Sequence, residues 1–275
     1  MMSFENFKAI IDEMARWLYK ARFYSWGEPF LHKDIYRMIQ YATEKNIGTE
    51  ISTNLNIFEE SDSQKLIASG LELLIISIDG ADEETYARYR VGGDFHKVIR
   101  NISAISKEKL KSGSKYPVIE MQFLVMRHNE DQVHKMKSLS KELGVDRLKI
   151  GAVVVNMENP DDREWLPANE SLSRYLYKDK KDKIFSRRNK CEWLWRSSVI
   201  NWDGTVSPCC IFEGEKSEIG SLNGKKFSDV WNNDSYVCSR KIFTDNSQKI
   251  GRQKTICTFC MGRPGAADSK QHGLY

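Results

Sequence analysis

LELLIISIDGADEETYARYRVGGD, residues 71–94, is the stretch that decides the fold. Glu72 to Asp79 is a nearly continuous apolar run, as expected of a strand covered on both faces. Asp82 to Arg90 and Asp94 to Ser112 then read as two helices, split by Gly92-Gly93. Upstream the same alternation holds. Ser61 to Ser69 is a helix that stops at Gly70, Gly48 to Ser52 a strand running into Thr53-Asn54, and Asp34 to Asn46 a helix. Ala21 to Trp26 is a strand ending at Gly27-Glu28-Pro29. Before it, Ser3 to Lys20 is a helix with Ser3 as N-cap and Phe7, Ile10, Ile11, Met14 and Leu18 at helical spacing. Downstream, Pro117 to Val125 and Arg147 to Val155 are strands around a helix over Glu130 to Leu143. Such alternation predicts an α/β fold with a parallel sheet and right-handed crossovers. Five strands are visible and the chain opens with a helix, so one strand is expected in front of Met1.

From Asn156 to Lys190 this pattern gives way to Pro, Asp and Lys-rich sequence, including KDKKDKIFSRRNK. Residues 156–190 therefore read as a solvated linker between a domain over 1–155 and another over 191–275. The net charge is 42 − 38 = +4, with basic and acidic residues interleaved, which gives no case for a nucleic-acid partner. No apolar run approaches the roughly 20 residues of a membrane span, and the N-terminus lacks a secretory core. A cytoplasmic location is the expectation.

All six cysteines fall between Cys191 and Cys260, and residues 1–190 contain none. Clustered cysteines outside a secreted context point to metal rather than to disulfides. CEWLWRSSVINWDGTVSPCC, residues 191–210, reads as a β-hairpin turning at Asp203-Gly204, which would bring Cys191 near Cys209. The Cys257-x-x-Cys260 pair would complete a four-thiolate site. On the cysteines alone, zinc is the more ordinary occupant and an iron–sulfur cluster the alternative. Cys210 should point away from Cys209 in a strand, and Cys238, isolated in a helical stretch, reads as apolar filler. The five histidines show no ligand spacing.

In parallel α/β folds ligands sit at the C-terminal ends of the strands, where Gly27-Glu28-Pro29, Thr53-Asn54, Ser77 and Asp79 all fall. Singly each reads as a turn. In the order WGEPFLHKDI, ISTN, ISIDGADEETYARYRVGG they resemble the radical S-adenosylmethionine superfamily, along nearly the whole chain. That resemblance implies a partial (β/α)6 TIM-like barrel, here lacking its first strand, followed by a small α+β domain of the SPASM or twitch type. It implies cofactor contacts from Gly27, Glu28, Pro29, Ser77 and Arg90, with Asp79 at the turn or against substrate. It also reverses the preference at the cysteines, making Cys191, Cys209, Cys257 and Cys260 ligands of an auxiliary 4Fe–4S cluster. The larger SPASM form carries two further cysteines. Here those positions are Ala266 and Lys270, so one auxiliary cluster is expected.

The family holds its catalytic 4Fe–4S cluster with CxxxCxxC after the first strand, and Met1-Met2-Ser3-Phe4 matches the segment following that loop. The chain thus reads as N-terminally truncated and inactive as written. The resemblance further implies a 5′-deoxyadenosyl radical acting on a sugar or aminocyclitol-like small molecule, with electrons from a flavodoxin or ferredoxin-like donor. A peptide-modifying maturase and a non-catalytic iron–sulfur binding protein are the alternatives. No catalytic acid or base is legible.

Overall fold

Five strands, β1 (Lys20–Arg22), β2 (Gly48–Thr53), β3 (Leu73–Ser77), β4 (Val118–Val125) and β5 (Arg147–Ala152), form one all-parallel sheet in the order of the sequence. The molecule is a computed structural model that describes residues 1–157, 159–178, 181–182, 191–211, 214–244 and 254–260. The lysine-rich run 183–190, Ala266, Lys270 and His272 lie outside the described residues.

The chain divides into two compact units, Ala15–Arg174 and Met1–Met14 with Tyr175–Tyr275. In the larger unit the sheet is interleaved with α2 (Ile35–Glu44), α3 (Ser63–Ala68), α4 (Glu83–Tyr89), α5 (Phe95–Ser112) and α6 (Val133–Glu142). Strand alternation sends Ile51, Leu74, Ile76, Met121 and Phe123 into one buried cluster with Ile39, Leu66, Val98, Ile102 and Met136 from the helices. The register aligns Ser52 with Ile75 and Glu120, and Ser77 with Gln122. The face opposite the helices is therefore largely polar. At the sheet margin Glu50 is buried, and its carboxylate accepts from Lys20 at 3.2 Å and from the Tyr24 hydroxyl, with Arg22 at 3.3 Å.

Each sequence-read element is present, usually shortened. The first helix, α1 (Phe4–Met14), ends six residues before the expected Lys20. Ser3 does cap it, accepting from Asn6 N at 3.1 Å. Its buried Phe4, Phe7 and Ile11 belong to the smaller unit, and Glu13 there accepts from Phe227 N at 2.6 Å. Residues 156–157 and 159–174, read above as linker, carry a short α7 (Pro160–Arg163) and fold into the larger unit. Arg127 donates to the Trp165 and Leu166 carbonyls, and Glu130 accepts from Ala168 and Asn169 N. Two apolar anchors, Leu166 and the Trp165 ring, escaped notice among the charges.

The smaller unit holds β6 (Tyr175–Leu176) paired with β7 (Lys181–Asp182), then α8 (Trp193–Arg196). The expected hairpin is present but shorter than residues 191–210: β8 (Val199–Ile200) pairs antiparallel with β9 (Thr205–Ser207) around Gly204 at φ +84°. That angle suits glycine. α8 takes up the segment after Cys191, and Cys209 and Cys210 lie beyond β9 rather than in a strand. β10 (Gly220–Ser221) pairs with β9, and α9 (Phe227–Trp231) and α10 (Asp234–Thr244) complete the unit. Its core gathers Leu194, Val206, Ile219, Val230, Tyr236, Ile256 and Cys257.

Candidate functional site

The strand tips of the larger unit are held by side chains that bond the loops to one another. Gly27 sits at φ +108° with open space where a Cβ would stand, and Pro29 is buried behind it. Glu28 is half-buried. Its carboxylate accepts from Thr53 Oγ1 at 2.7 Å, Asn54 N at 2.9 Å and Phe30 N at 3.3 Å. It thereby ties the loop after β1 to the loop after β2. Asn56 extends the tie, donating to the Tyr86 hydroxyl at 2.9 Å and accepting from Asp94 N at 2.8 Å.

Ser77 ends β3 half-buried on the polar face. Asp79 follows with no exposed surface, one oxygen accepting from Leu124 N at 2.8 Å and the other from Arg90 Nε at 2.8 Å. Arg90 Nη2 adds a contact of 2.6 Å. Arg90 also lies over the Tyr89 ring at 5.4 Å, while Arg88 is exposed. Gly80 lets this turn close: a Cβ there would stand 2.3 Å from Tyr86 N. Gln132 clamps the same turn, accepting from Ala81 N and donating to Asp82 and Thr85.

In the smaller unit Cys209 and Cys257 each lie within electrostatic reach of the other, of Cys191 and of Cys260. Burial does most to push the Cys209 thiol up to about 11; the Ile211 N–H pulls it down, and the Cys260, Cys210 and Cys191 sulfurs add to the rise. Burial likewise pushes Cys257 up to about 12, against a hydrogen bond from Ser239. Among the described residues no three Cys, His, Asp or Glu side chains converge as a single ion would require. Thiolates are the usual donors to iron–sulfur clusters. The four thiols fit such a group. Cys210 is exposed and Cys238 is half-buried on α10. The barrel unit offers no thiol at all, so its own residues do not fit a cysteine-held cluster.

Residues 1–139 match the model of the radical SAM superfamily, just over half of the chain. The chain belongs to the radical SAM superfamily. Residues 191–261 match SPASM, an iron–sulfur cluster-binding domain, so this radical SAM chain carries a C-terminal SPASM domain. It is 26% identical over 186 residues to the AdoMet-dependent heme synthase of Methanosarcina barkeri, covering 67% of this chain and 51% of that one. It is 24% identical over 251 residues to the PqqA peptide cyclase of Granulibacter bethesdensis, covering 82% and 64%. The chain thus spans about half to two thirds of these curated relatives. In fold it is similar to Streptococcus suis SuiB bound to S-adenosylmethionine, with TM-score 0.66, 15% identity, and 95% and 66% of the two chains covered. The fold read from sequence, a partial barrel followed by a small α+β domain, agrees with this.

Sequence reading missed the residues that shape the radical SAM strand tips. Asn56, Asn129, which donates to the Asp79 and Leu124 carbonyls, and Gln132, in the 3-10 turn Glu130–Gln132, carry no motif, although the TNLN run beside a strand end was a visible signal. His128, in the loop after β4, stands edge-on to Trp165 at 5.5 Å, and burial, helped by Arg88, lowers its pKa. Ser239, which bonds Cys257, had no sequence signal.

Proposed function

We propose that this chain supplies the cofactor pocket and the electron-accepting centre of a radical S-adenosylmethionine oxidation. The supporting observation is the mutual electrostatic influence among buried Cys257 and half-buried Cys191, Cys209 and Cys260. These four hold one auxiliary 4Fe–4S cluster, which when bound supplies a one-electron acceptor. Bound S-adenosylmethionine, when reductively cleaved, supplies the carbon radical that takes a hydrogen atom from substrate. Gly27, by its open backbone, and Ser77 and Arg90 at the β3 side hold the cofactor. Glu28 and Asp79 act through what they bond: Glu28 fixes the Thr53–Asn54 loop, and Asp79 aims Arg90. The four thiols must each lose a proton on ligation. An external flavodoxin or ferredoxin-like protein is the electron donor.

A second reading concerns the substrate. The similarity to PqqA peptide cyclase runs along 82% of this chain and favours a peptide over an aminocyclitol or sugar.

Anaerobic reconstitution tests the cluster. The full chain should take up about four irons and four sulfides. Cys191→Ala, Cys209→Ala, Cys257→Ala and Cys260→Ala should each sharply reduce that content, while Cys238→Ala should leave it unchanged. Stoichiometric zinc without sulfide overturns the assignment. Cluster loss in Cys210→Ala with Cys209→Ala harmless would transfer the ligand role to Cys210.

A further inference from the structure

Residues 159–174 form a strap tied to the loop after β4 by residues on both sides of His128. Before it, Arg127 donates from its main-chain N–H to the Trp165 carbonyl at 3.0 Å and from Nε to the Leu166 carbonyl at 3.1 Å. After it, the Glu130 carboxylate accepts from Ala168 N at 3.1 Å and Asn169 N at 3.0 Å. Between these ties the Trp165 ring stands edge-on to His128 at 5.5 Å and to Tyr89, the last residue of α4, at 5.4 Å. The Tyr89 ring in turn lies beneath the Arg90 guanidinium at 5.4 Å. One indole from the strap thus joins the loop after β4 to the helix end that carries Arg90.

His128 is sealed in this seam. Its Nε2 is buried and has no hydrogen-bond partner among the described residues. A neutral imidazole can leave one nitrogen as a bare acceptor, whereas an imidazolium carries an N–H on both. On protonation Nε2 becomes a charged donor with nothing to accept it, which a buried setting penalises heavily. The indole attracts a cation through its ring face, but only weakly. The full charges near His128 do not offset the penalty. Arg88 on α4 repels a second cation, and the Asp79 carboxylate is already engaged by Leu124 N and Arg90. On its own loop Arg127 and Glu130 are committed to the strap, where Arg163 and Glu164 precede Trp165.

We propose that the strap is a pH-dependent latch: uncharged His128 lets Trp165 seat against Tyr89 beneath Arg90, and protonation of His128 unseats it. Burial, then Arg88, lower the His128 pKa in the closed strap, outweighing the Thr85 main chain and Asp79. A lifted strap returns His128 to its ordinary value of 6.5. The open form therefore binds the proton more tightly. Closure is complete above that value and weakens as the pH falls through it. Mild acidification then loosens the support of Arg90. The place of Arg90 in a cofactor pocket rests on the proposed function, but the latch does not.

The test is hydrogen exchange of the full chain, resolved to single amides and corrected for the intrinsic pH dependence of exchange. The Ala168 and Asn169 amides cross the seam, and the buried Met121 and Phe123 of β4 serve as internal reference. Between about pH 7.5 and about pH 5.5 the seam amides should lose protection severalfold while the reference amides hold theirs. His128→Gln, which cannot be charged, should keep its seam protection across that range. Trp165→Ala should exchange fast at both ends of it. Flat or rising protection in the parent on acidification overturns the latch. So does a fall shared by the reference amides, or the parent's fall persisting in His128→Gln. Should His128→Gln not fold, Trp165→Ala decides: uniformly fast exchange at the seam supports the latch, and any other pattern overturns it.

Discussion

Asp79 has no exposed surface, and both of its oxygens accept hydrogen bonds within the chain. Reading the sequence groups it with the cofactor contacts, since it stands at a strand tip. In the fold both of its oxygens are taken up by Leu124 N and Arg90. Removing one partner of a buried ion pair strands the other charge, which typically costs about 3–5 kcal/mol. Arg90→Ala should therefore lower stability by about that amount in urea denaturation, and it should weaken S-adenosylmethionine binding as well. Replacing both partners by apolar residues, as Arg90→Met with Asp79→Leu, should regain much of the stability but not the binding. Calorimetry on the double variant separates the two roles. Equal affinity in parent and double variant would remove Arg90 from the pocket.

At the scale of elements, the sequence was most legible where periodicity was strong. β3 announced itself by a nearly unbroken apolar run, and α5 by a start at Asp94, which in the structure caps the helix by accepting from Lys97 N at 2.8 Å. The hairpin around Gly204 was legible because few residues other than glycine suit its backbone angle. Illegible were contacts set by tertiary placement: the Gln132 clamp, the Ser239 bond, and Glu50 on β2. Burial alone would raise the Glu50 pKa, but the Tyr24 hydroxyl, Arg22 and Lys20 outweigh it and hold the carboxyl below its ordinary value of 4.5. A depressed carboxyl stabilises the fold above the unfolded value, and that contribution fades as pH falls through the folded one. Stability should thus decline with acidification below about pH 4.5. Glu50→Gln should be less stable at neutral pH and should show a flatter acid limb in pH-dependent denaturation. Parallel limbs in the two proteins would show that Glu50 does not tie β1 to the sheet.

At the scale of the whole molecule, thiols and strand tips are segregated along the chain: every cysteine lies beyond residue 190, and the strand tips proposed to hold the cofactor lie before it. Reductive cleavage of a sulfonium needs an electron delivered at the pocket. The 275-residue chain by itself should yield no 5′-deoxyadenosine from S-adenosylmethionine with strong reductant, even with its auxiliary site loaded. The nucleoside is read by chromatography. Turnover would force the cofactor onto the C-terminal thiols.

The packing around Tyr86 bears on how this lineage can drift. A Cβ at position 93 would meet the Tyr86 ring at 2.8 Å, whereas one at position 80 would meet the Tyr86 main chain at 2.3 Å. Descendants that shrink the ring at 86 relieve the severe clash at 93, leaving a Cβ there 3.1 Å from the Arg90 carbonyl oxygen, which must then give by a few tenths of an ångström, so those two sites should mutate in step. No exchange of side chain at 86 opens room at 80, because every amino acid brings the same backbone nitrogen. Glycine 80 is therefore the frozen letter of the pair, and glycine 93 the negotiable one.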